Sequence, residues 1–425
     1  MVWLETAFQG FALATLVGIP LYARAVRGRS YSIYGLVTLL ISLPGALVLQ
    51  ARLAAFLPSL GIPITVLFLA GMLAASIHLA GLVRPRLREP WFRLSLSVPG
   101  MAFLALGALA GLWLLVLLPF RLLAWSVGAE TVLGLMGWLD LVPVVVVALS
   151  LVTSMRAVEE VVHVHLAEDG PEEFARVPVQ RYRRRAPIEL EHRPLRLVQV
   201  TDPHLGPWQP VPKLRRRIEK LIDLDPDLVL LTGDFLTMEG MGTPGALAEA
   251  LAPLSRLRGR CFAVFGNHDH EAPDEVRHGL ETAGVHLLMD AEATVDTPVG
   301  PVQIVGADYR RKGRRDHLHG LLDRHPRRDG HVRLLLLHDP SAFRHVPRGD
   351  VDLTLSGHTH GGQVGAVSFG FDWTVLRRTS WPDHGLFAHG ANRLYVHRGT
   401  GFYGFPLRVG VPGEASRLDV ILPRT

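Results

Sequence analysis

The sequence is poor in cysteine, with Cys261 alone among 425 residues. No disulfide can form within the chain, which excludes a small secreted scaffold held by disulfides but does not identify the compartment. Cys261 stands in a strand-like apolar run, where a small buried side chain is its expected role. The sequence also lacks a Walker-type loop and a dinucleotide-binding fingerprint. The familiar phosphate-cradling motifs of nucleotide-binding proteins are therefore absent.

The charge balance is basic, with a formal net charge of +5 that comes mostly from arginine. Such a balance is typical of proteins that meet nucleic acid, an anionic membrane surface or phosphorylated substrates. No module that combines aromatic and basic residues is present, so no nucleic-acid partner is expected. A membrane and a phosphoester substrate are the favoured partners, and the sequence leaves the oligomeric state open.

The first third of the chain is almost entirely apolar and contains five segments of about the 20 residues that span a bilayer. The first segment is not expected to be a cleavable signal peptide, because it follows Glu5 and its positive charges come after it. Two ionisable residues within the spans, His78 and Asp140, lie toward segment ends, where water is accessible. The predicted spans are residues 6–23, 32–50, 61–83, 97–119 and 131–153.

Arginine residues are concentrated in the first and third loops between these spans. The excess predicts that those loops face the cytoplasm. An odd number of spans then places the N-terminus outside and the soluble part inside, at an inner or plasma membrane. The predicted domains are a transmembrane domain over 1–154, a linker with the first strands over 155–190, and a soluble domain over 191–425. The arginines of the two loops are Arg24, Arg27 and Arg29, then Arg84, Arg86, Arg88 and Arg93.

The soluble part alternates short β-branched apolar runs with helix-like stretches, which predicts an α/β architecture. Residues of metal-ligand type follow the predicted strands repeatedly, where α/β folds bind their ligands. A lone aspartate or histidine after a strand is usually a turn former, but a succession of them indicates a site. The predicted ligands are Asp202 and His204 after strand 195–200, Asp234 after 228–231, Asn267 after 261–265, His338 after 334–337, and His358 and His360 after 353–355.

These residue types suit a pair of divalent metal ions that hydrolyse a phosphoester. Asp234 is the natural bridge between the ions, since Gly233 before it allows close backbone approach. Mixed nitrogen and oxygen ligands favour Mn, Fe, Zn or Co over Mg or Ca. We expect Asp202, His204 and His360 to complete one ion's protein ligands, and Asn267, His338 and His358 the other's.

Two further residues are catalytic candidates. His268 is expected to stabilise the phosphoryl oxygen or to protonate the leaving group, with Asp269 orienting its ring. The alternatives are a spacer beside the ligands for His268 and a simple turn residue for Asp269.

The motifs together resemble the calcineurin-like metallophosphoesterases, in particular their membrane-anchored branch. The resemblance covers roughly residues 190–425, with every ligand position filled; Pro203 is a small departure from the usual pattern. It implies a four-layer αββα sandwich of two mixed sheets, here following an N-terminal α-helical transmembrane bundle. It also implies the ligand and acid roles given above. The matching motifs are Asp202-Pro203-His204, Gly233-Asp234, Gly266-Asn267-His268-Asp269, His338 and Gly357-His358-Thr359-His360.

The predicted function is a membrane-bound, metal-dependent phosphoesterase that attacks a phosphodiester or phosphomonoester with a metal-bridging hydroxide. A lipid-linked substrate is the first candidate, because of the spans and an apolar lip predicted from Trp373, Trp381 and Phe387. Ordinary packing or membrane contact is the alternative for these three rings. The basic stretch Tyr309–Arg315 is expected to be a solvated loop or a guide for an anionic substrate. Two alternatives are a non-catalytic membrane sensor or scaffold with a vestigial metal site, and a transporter regulated by the soluble domain.

Overall fold

The computed structural model describes residues 2–166, 169–183 and 192–423, and they form two compact units. Unit 1 consists of Met1–Val152 and Gly404–Leu407, and unit 2 of Thr153–Tyr403 and Arg408–Thr425. The end of the predicted 155–190 linker, residues 184–190, lies outside the described residues. The predicted domain boundaries stay a prediction.

Unit 1 contributes helices that are long and apolar enough to cross a membrane. Five such helices are present among the described residues, which confirms the predicted number. Most extend beyond the predicted segments at both ends, because hydropathy detects the apolar middle of a helix while the backbone hydrogen bonds continue past it. The five run over Val2–Val26, Arg29–Phe56, Pro58–Gly81, Pro90–Ser126 and Glu130–Met155. Their regular helices are α1 (Val2–Val26), α2 (Arg29–Phe56), α3 (Gly61–Gly81), α4 (Pro90–Phe92), α5 (Val98–Ser126), α6 (Glu130–Met136) and α7 (Val142–Met155).

Helices α2 and α5 approach each other closely at glycines. A Cβ atom on Gly45 would lie 2.1 Å from the Gly107 carbonyl oxygen, and one on Gly107 would lie 2.1 Å from the Ser42 carbonyl oxygen. Small residues at such a crossing allow two backbones to pack in direct contact, which is how helices associate where no hydrophobic driving force is available. The crossing therefore depends on the absence of side chains at these positions.

Asp140 is the buried charge of unit 1, with its side chain 1% exposed. Its Oδ2 accepts a hydrogen bond from Arg52 Nε at 2.8 Å, and its Oδ1 accepts one from Arg121 Nη2 at 2.6 Å. A charge within apolar helices is costly unless it is paired. The two arginines neutralise the carboxylate and join α2 and α5 to the short turn Trp138–Leu141.

Unit 2 is built on two seven-stranded mixed sheets, with strand orders β3-β1-β14-β4-β5-β6-β7 and β2-β12-β13-β11-β10-β9-β8. In the first sheet β4 to β7 are parallel, and in the second β9, β10, β11 and β13 are parallel. The strands are β1 (Ala157–His165), β2 (Ala175–Arg176), β3 (Gln180–Arg183), β4 (Leu195–Val200), β5 (Leu228–Leu231), β6 (Cys261–Ala263), β7 (His286–Leu287), β8 (Ala291–Thr297), β9 (Gly300–Ala307), β10 (Val332–Leu337), β11 (Leu353–Ser356), β12 (Gly385–His389), β13 (Asn392–Val396) and β14 (Gly413–Ile421).

The two sheets pack face to face and share one apolar core. Leu228 and Leu230 of the first sheet lie in the same buried cluster as Leu334 and Leu336 of the second. Leu335, by contrast, belongs to a second cluster on the other face, because successive side chains of a strand point to opposite faces. Consecutive apolar residues in a strand such as β10 therefore reflect a sheet that is covered on both faces.

Helices form the two outer layers. Helix α8 packs on β14 and α11 on β7, while α12 packs on β9 with its buried leucines in the second cluster. The predicted fold class, an αββα sandwich of two mixed sheets after an apolar helical segment, is confirmed. The helices of unit 2 are α8 (Val211–Ile222), α9 (Met238–Met241), α10 (Ala246–Leu251), α11 (Pro273–Thr282) and α12 (Arg314–Arg324).

Two parts of unit 2 differ from the sequence prediction. The stretch Tyr309–Arg315 is not a loop throughout, because α12 begins at Arg314 after Gly313, which has a positive φ of 64°. Strands β7, β8 and β12 were not predicted. β8 lies at a sheet edge and its residues are only partly buried or exposed, so it lacks the apolar run that identified the other strands.

Candidate metal centre

The predicted ligands lie in loops at the carboxyl ends of the central parallel strands. Asp202 follows β4, Asp234 follows β5 and His358 follows β11, and these residues have positive φ angles of 49°, 57° and 69°. Left-handed backbone is unusual for residues other than glycine and is concentrated at functional sites. The turns therefore direct polar side chains away from the strands and toward one another.

Glycines let these loops meet. A Cβ atom on Gly266 would lie 2.2 Å from Asp234 Oδ1, and one on Gly357 would lie 2.2 Å from Asp202 Oδ2. A Cβ atom on Gly233, whose φ is 89°, would lie 2.2 Å from the Gly266 amide nitrogen. A side chain at any of these positions would push the loops apart.

The first group of converging side chains consists of Asp202, His204 and His360, all buried. The Nε2 atoms of the two histidines are 3.2 Å apart, and His360 Nε2 is 3.5 Å from Asp202 Oδ1. Ligands that each bind one transition-metal ion at about 2.0 Å in tetrahedral geometry lie about 3.3 Å from one another. The spacing of this group therefore fits a single divalent ion.

The second group consists of Asp234, His338 and His358. His338 Nε2 lies 3.3 Å from Asp234 Oδ2, 3.2 Å from His358 Nδ1 and 3.3 Å from Asn267 Oδ1. Asn267 thus joins this group as an amide oxygen donor. Four donors of nitrogen and oxygen type at these spacings again fit one divalent ion.

Asp234 lies between the two groups. Its Oδ2 is 3.3 Å from His338 Nε2 in the second group and 3.9 Å from His204 Nε2 in the first. A carboxylate in this position can serve two ions at once. The structure therefore brings all the predicted ligands together around one shared aspartate.

The histidines present ring nitrogens that can bind a metal. His338 Nδ1 donates to the Thr232 carbonyl oxygen at 2.6 Å, so its Nε2 is the atom directed at the group. Burial lowers the pKa of His204 to about 3, and burial together with the nearby His338 lowers the pKa of His358 to about 4. Both imidazoles are therefore neutral at neutral pH, as metal ligation requires.

The buried carboxylates make the centre attractive to positive charge. Burial acts to raise the pKa of Asp234, but the adjacent His338 outweighs it and the net effect is to lower that pKa. For His338, burial acts to lower the pKa, but the charge of Asp234 and its hydrogen bond raise it to about 10. Burial raises the pKa of Asp202 to about 6. A proton on His338 stabilises this cluster, and a divalent cation would do so more strongly.

His268 lies beside the first group, and its partner was not predicted. Its Nδ1 donates to Glu271 Oε1 at 2.8 Å, and its ring centre is 5.8 Å from that of His204 and 4.4 Å from that of Tyr403. Burial acts to lower the pKa of His268, but Glu271 and Asp234 raise it overall. The spacing of Glu271, three residues after His268, was a signal available in the sequence.

Asp269 does not orient His268, which corrects the role expected for it. Its Oδ2 accepts from the amides of Asp234 and Gly266 at 2.7 Å each, and its Oδ1 accepts from that of Phe235 at 2.8 Å. Burial and the charge of Asp234 raise the pKa of Asp269 to about 7, while these amide donors act in the opposite direction. Asp269 therefore holds together the two loops that carry Asp234 and Asn267.

Arg408 is a buried residue of the site that sequence reasoning missed. Its Nη2 donates to the carbonyl oxygens of Arg398 and Gly401 at 2.7 and 2.6 Å and lies 3.3 Å from His360 Nδ1, and its Nη1 donates to the His360 carbonyl at 3.2 Å. Its side chain thus supports the ring and the backbone of one predicted ligand. No motif surrounds Arg408, so no local signal could have identified it.

Aromatic rings flank the centre, although not all those that were predicted. The Trp381 ring centre is 5.8 Å from that of His358, and the Tyr309 ring centre is 6.4 Å from it. Trp373 is 51% exposed. Phe387 does not belong to this lip, because it is buried in β12 and stacks on Phe174 at 5.3 Å. Alternation along β12 directs Phe387 away from the metal centre and into the second apolar cluster.

A family model described as Calcineurin-like phosphoesterase matches residues 195–362. The chain is 30% identical over 221 residues to an uncharacterized metallophosphoesterase, YkuE of Bacillus subtilis, a match that covers 50% of this chain and 74% of YkuE. The chain belongs to the calcineurin-like phosphoesterase family. Members of this family are metal-dependent phosphoric ester hydrolases, and the enzyme class of the chain follows.

Two further relatives of this calcineurin-like phosphoesterase have informative names. Phosphodiesterase YaeI of Escherichia coli is 29% identical over 234 residues, covering 54% of this chain and 83% of YaeI. A Danio rerio protein named transmembrane protein with metallophosphoesterase domain is 31% identical over 245 residues, covering 53% of this chain and 52% of that protein. The chain thus spans about half the length of the Danio rerio relative.

Solved structures similar to this calcineurin-like phosphoesterase are distant. The NAD nucleotidase of Haemophilus influenzae aligns with a TM-score of 0.30 and 15% identity, over 39% of this chain and 38% of the nucleotidase. The phosphopantetheinyl hydrolase of Mycobacterium tuberculosis aligns with a TM-score of 0.28 and 13% identity, over 49% of this chain and 89% of the hydrolase. These TM-scores are too low for either structure to inform the substrate.

Proposed function

We propose that the chain is a membrane-bound phosphoesterase that uses two divalent metal ions to hydrolyse a phosphodiester or phosphomonoester. The observation that carries this proposal is the position of Asp234 between two groups of buried donors, with Oδ2 at 3.3 Å from His338 Nε2 and at 3.9 Å from His204 Nε2. A single ion would not need donors on both sides of one carboxylate.

Each ion has its own ligands in this proposal. Asp202, His204 and His360 would hold the first ion, Asn267, His338 and His358 would hold the second, and Asp234 would serve both. Mixed nitrogen and oxygen ligands favour Mn, Fe, Zn or Co. When bound, the two ions would activate a water molecule as the nucleophile and would neutralise the phosphoryl charge.

His268 is the catalytic residue of the chain itself. Its Nδ1 is bonded to Glu271, so Nε2 is the nitrogen left to face a substrate. A raised pKa keeps the ring protonated to higher pH, so the ring can donate a hydrogen bond to a phosphoryl oxygen or a proton to the leaving group. Asp269 acts through the backbone, by fixing the loops that carry Asp234 and Asn267.

The substrate proposal is a lipid-linked phosphodiester. Five helices that are long and apolar enough to cross a membrane precede the sandwich. Aromatic rings beside His358 offer an apolar surface next to the metal centre. The similarity to phosphodiesterase YaeI supports a diester over a monoester. A water-soluble phosphoester is the competing substrate.

The membrane arrangement is part of the proposal. Residues 1–154 form the transmembrane domain, 155–190 a linker with the first strands, and 191–425 the catalytic domain. The excess of arginine in the first and third loops supports an N-terminus outside and a catalytic domain in the cytoplasm.

A substrate screen with the full-length chain in detergent tests the proposal. Soluble phosphomonoesters, soluble phosphodiesters and lipid phosphodiesters are offered with Mn, and hydrolysis and bound metal are measured together. We expect the rate of hydrolysis to fall by more than about 100-fold in Asp234→Asn. Mutating a residue that only hydrogen-bonds a metal ligand already lowers activity by about 10- to 100-fold, and Asp234 is proposed as a ligand itself. We also expect the bound metal to fall.

The matched control is Asp274→Asn, which removes an exposed carboxylate of α11. It should retain both activity and metal. Retained hydrolysis in Asp234→Asn would contradict the shared-ligand role. Metal-replete wild-type protein that cleaves no phosphoester would favour the alternative, a non-catalytic sensor or scaffold. Equal turnover of soluble and lipid diesters would refute only the lipid-linked substrate.

A further inference from the structure

A concave surface separate from the metal centre lies on unit 2, between the start of β1 and helix α8. Its cavity volume is about 490 Å³. None of the predicted metal ligands lines it. Its apolar lining comes from Met155 and Val158 on one side and from Leu221 and Leu224 on the other. We refer to this surface as the β1–α8 cleft.

The β1–α8 cleft is strongly basic. Its charged lining residues are Arg156, Lys213, Arg216, Arg217 and Lys220, with Glu159 as the single carboxylate. Lys220 Nζ lies 3.1 Å from Glu159 Oε1 and compensates that charge. The cleft therefore carries a net positive charge, because five basic residues face one carboxylate.

The amphipathic pattern of α8 explains this charge. The helix buries Leu214, Ile218, Leu221 and Ile222 against the sandwich. The basic residues between them are consequently directed outward or to the sides. Arg217 is held in place by a hydrogen bond from its Nη1 to Gln209 Oε1 at 3.2 Å. The cations are thus displayed by a rigid, packed element.

The cleft adjoins the end of the fifth apolar helix along the chain. Met155 is the last residue of α7, and Arg156 follows it directly. A residue that immediately follows a membrane span begins at the level of the lipid head groups, where basic residues meet anionic lipids. Connectivity alone therefore brings this side of the cleft to the membrane surface.

We propose that the β1–α8 cleft binds the phosphate head group of an anionic phospholipid, which is a ligand and not the substrate of the metal centre. Arg156 and Arg216, both exposed, contact the phosphate. Met155 and Val158, together with Leu221 and Leu224, take the glycerol and first acyl carbons. The mixture of cations and apolar side chains matches an amphiphile better than a free anion. The residues that line the cleft include no aromatic ring on which a nucleobase could stack.

The test is a binding titration of the full-length chain in a neutral detergent. Dihexanoyl phosphatidylglycerol, dihexanoyl phosphatidylcholine and glycerol phosphate are the three probes, and thermophoresis reports the dissociation constants. We expect phosphatidylglycerol to bind at least about tenfold more tightly than the other two. Each basic residue near an anionic lipid contributes about fivefold in affinity. The double variant Arg156→Gln/Arg216→Gln should therefore bind phosphatidylglycerol roughly 10- to 30-fold more weakly.

Arg215→Gln is the matched control, since Arg215 is on the same helix but pairs with Glu219 at 3.5 Å and does not line the cleft. It should change binding by less than about twofold. Equal binding of phosphatidylglycerol and phosphatidylcholine, or an unchanged double variant, would overturn the proposal. Glycerol phosphate that binds as tightly as the lipid would overturn it in favour of a soluble anion.

Lipid binding by the cleft can be tested separately from catalysis. Both arginines of the double variant lie outside the proposed metal centre, so the variant should hydrolyse a soluble phosphoester at the wild-type rate. That measurement also shows that the variant is folded. A chain that hydrolyses nothing but binds phosphatidylglycerol through these arginines would refute the proposed function and leave the cleft assignment intact.

Discussion

His268 and Glu271 form a hydrogen-bonded pair beside the proposed metal centre. The ring is only partly buried, and its pKa would fall through burial alone, but the hydrogen bond at 2.8 Å to Glu271 and the charge of Asp234 raise it. The pair resembles other imidazoles held by carboxylates, in which the partner fixes both the tautomer and the basicity of the ring. Glu271 thus acts on the proposed acid, His268, through a hydrogen bond and does not itself reach the substrate in this proposal.

We expect Glu271→Gln to shift the alkaline limb of the pH–rate profile to lower pH. The sign follows from the raised pKa: the protonated ring persists to higher pH in the wild type, and removing the carboxylate lowers that pKa. The limb of kcat/KM on a soluble phosphoester is the measurement. Glu281→Gln, at an exposed position of α11, is the control. A limb that moves to higher pH, or does not move, would exclude this role for Glu271.

Arg408 is a positioning residue for His360. Its guanidinium is almost completely buried and satisfies several backbone carbonyls, including that of His360 at 3.2 Å. Its backbone amide donates to Ser154 Oγ at 3.1 Å. Losing the guanidinium would leave buried carbonyl groups unsatisfied and would free the His360 ring to turn.

For Arg408→Gln we expect metal affinity to fall by about 10- to 100-fold, as it does when partners of metal ligands are removed. Isothermal titration with Mn measures the affinity, and Tm in detergent measures stability separately. Arg378→Gln, an exposed residue, should change neither. A lower Tm with unchanged metal affinity would show that Arg408 only stabilises the fold.

Among the elements, the α2–α5 crossing depends most sharply on individual positions. A Cβ atom added to Gly107 would lie 2.1 Å from the Ser42 carbonyl oxygen. That oxygen belongs to the backbone and cannot rotate away as a side chain could. Gly10 in α1 has open space around it, with nothing within 4 Å of an added Cβ. Two glycines of similar sequence context therefore have opposite structural roles.

We expect Gly107→Ala to destabilise the helices by about 1–3 kcal/mol or more, since overpacking forces backbone shifts. Gly10→Ala should be neutral or stabilising by up to about 1 kcal/mol, because alanine favours the helix over glycine. Thermal unfolding of both variants in the same detergent is the measurement. An equal response of the two variants would contradict the close crossing of α2 and α5.

How well each element could be predicted depends on how local its signal is. Strands β4, β5, β10 and β11 are rich in apolar residues because nearly all of their positions are buried, and the sequence located them within a residue or two. Edge strand β8 has few buried positions and gave no such signal. The pairing that makes it a strand is with β9, and pairing partners are not visible in a local pattern.

For the whole molecule, membrane orientation is the property to test. Burial raises the pKa of the Cys261 thiol to about 12, and the side chain is buried, so this cysteine should not react with maleimides. The native chain is therefore a clean background for cysteine labelling. Ser59 in the turn Pro58–Leu60 and Lys312 before α12 are both exposed reporter positions.

With a membrane-impermeant maleimide on intact cells, we expect Ser59→Cys to be labelled and Lys312→Cys to be labelled only after permeabilisation. The reason is the arginine excess in the first and third loops, which places the turn at 58–60 outside and the sandwich inside. Labelling of both variants in intact cells would reject the cytoplasmic catalytic domain. The opposite pattern would reverse the whole topology.

The sequence by itself determined the enzyme class of this protein and its candidate metal ligands. Apolar length identified the spans, apolar runs identified the central strands, and the residue types after those strands indicated a metal centre, because each of these signals is carried by neighbouring residues. Only the tertiary structure decided which groups act on one another. Glu271 as the partner of His268, the loop-fixing bonds of Asp269 and the support of His360 by Arg408 all depend on how loops meet. Contacts between distant segments arise from sheet packing and loop geometry, and residue type and spacing do not encode them locally.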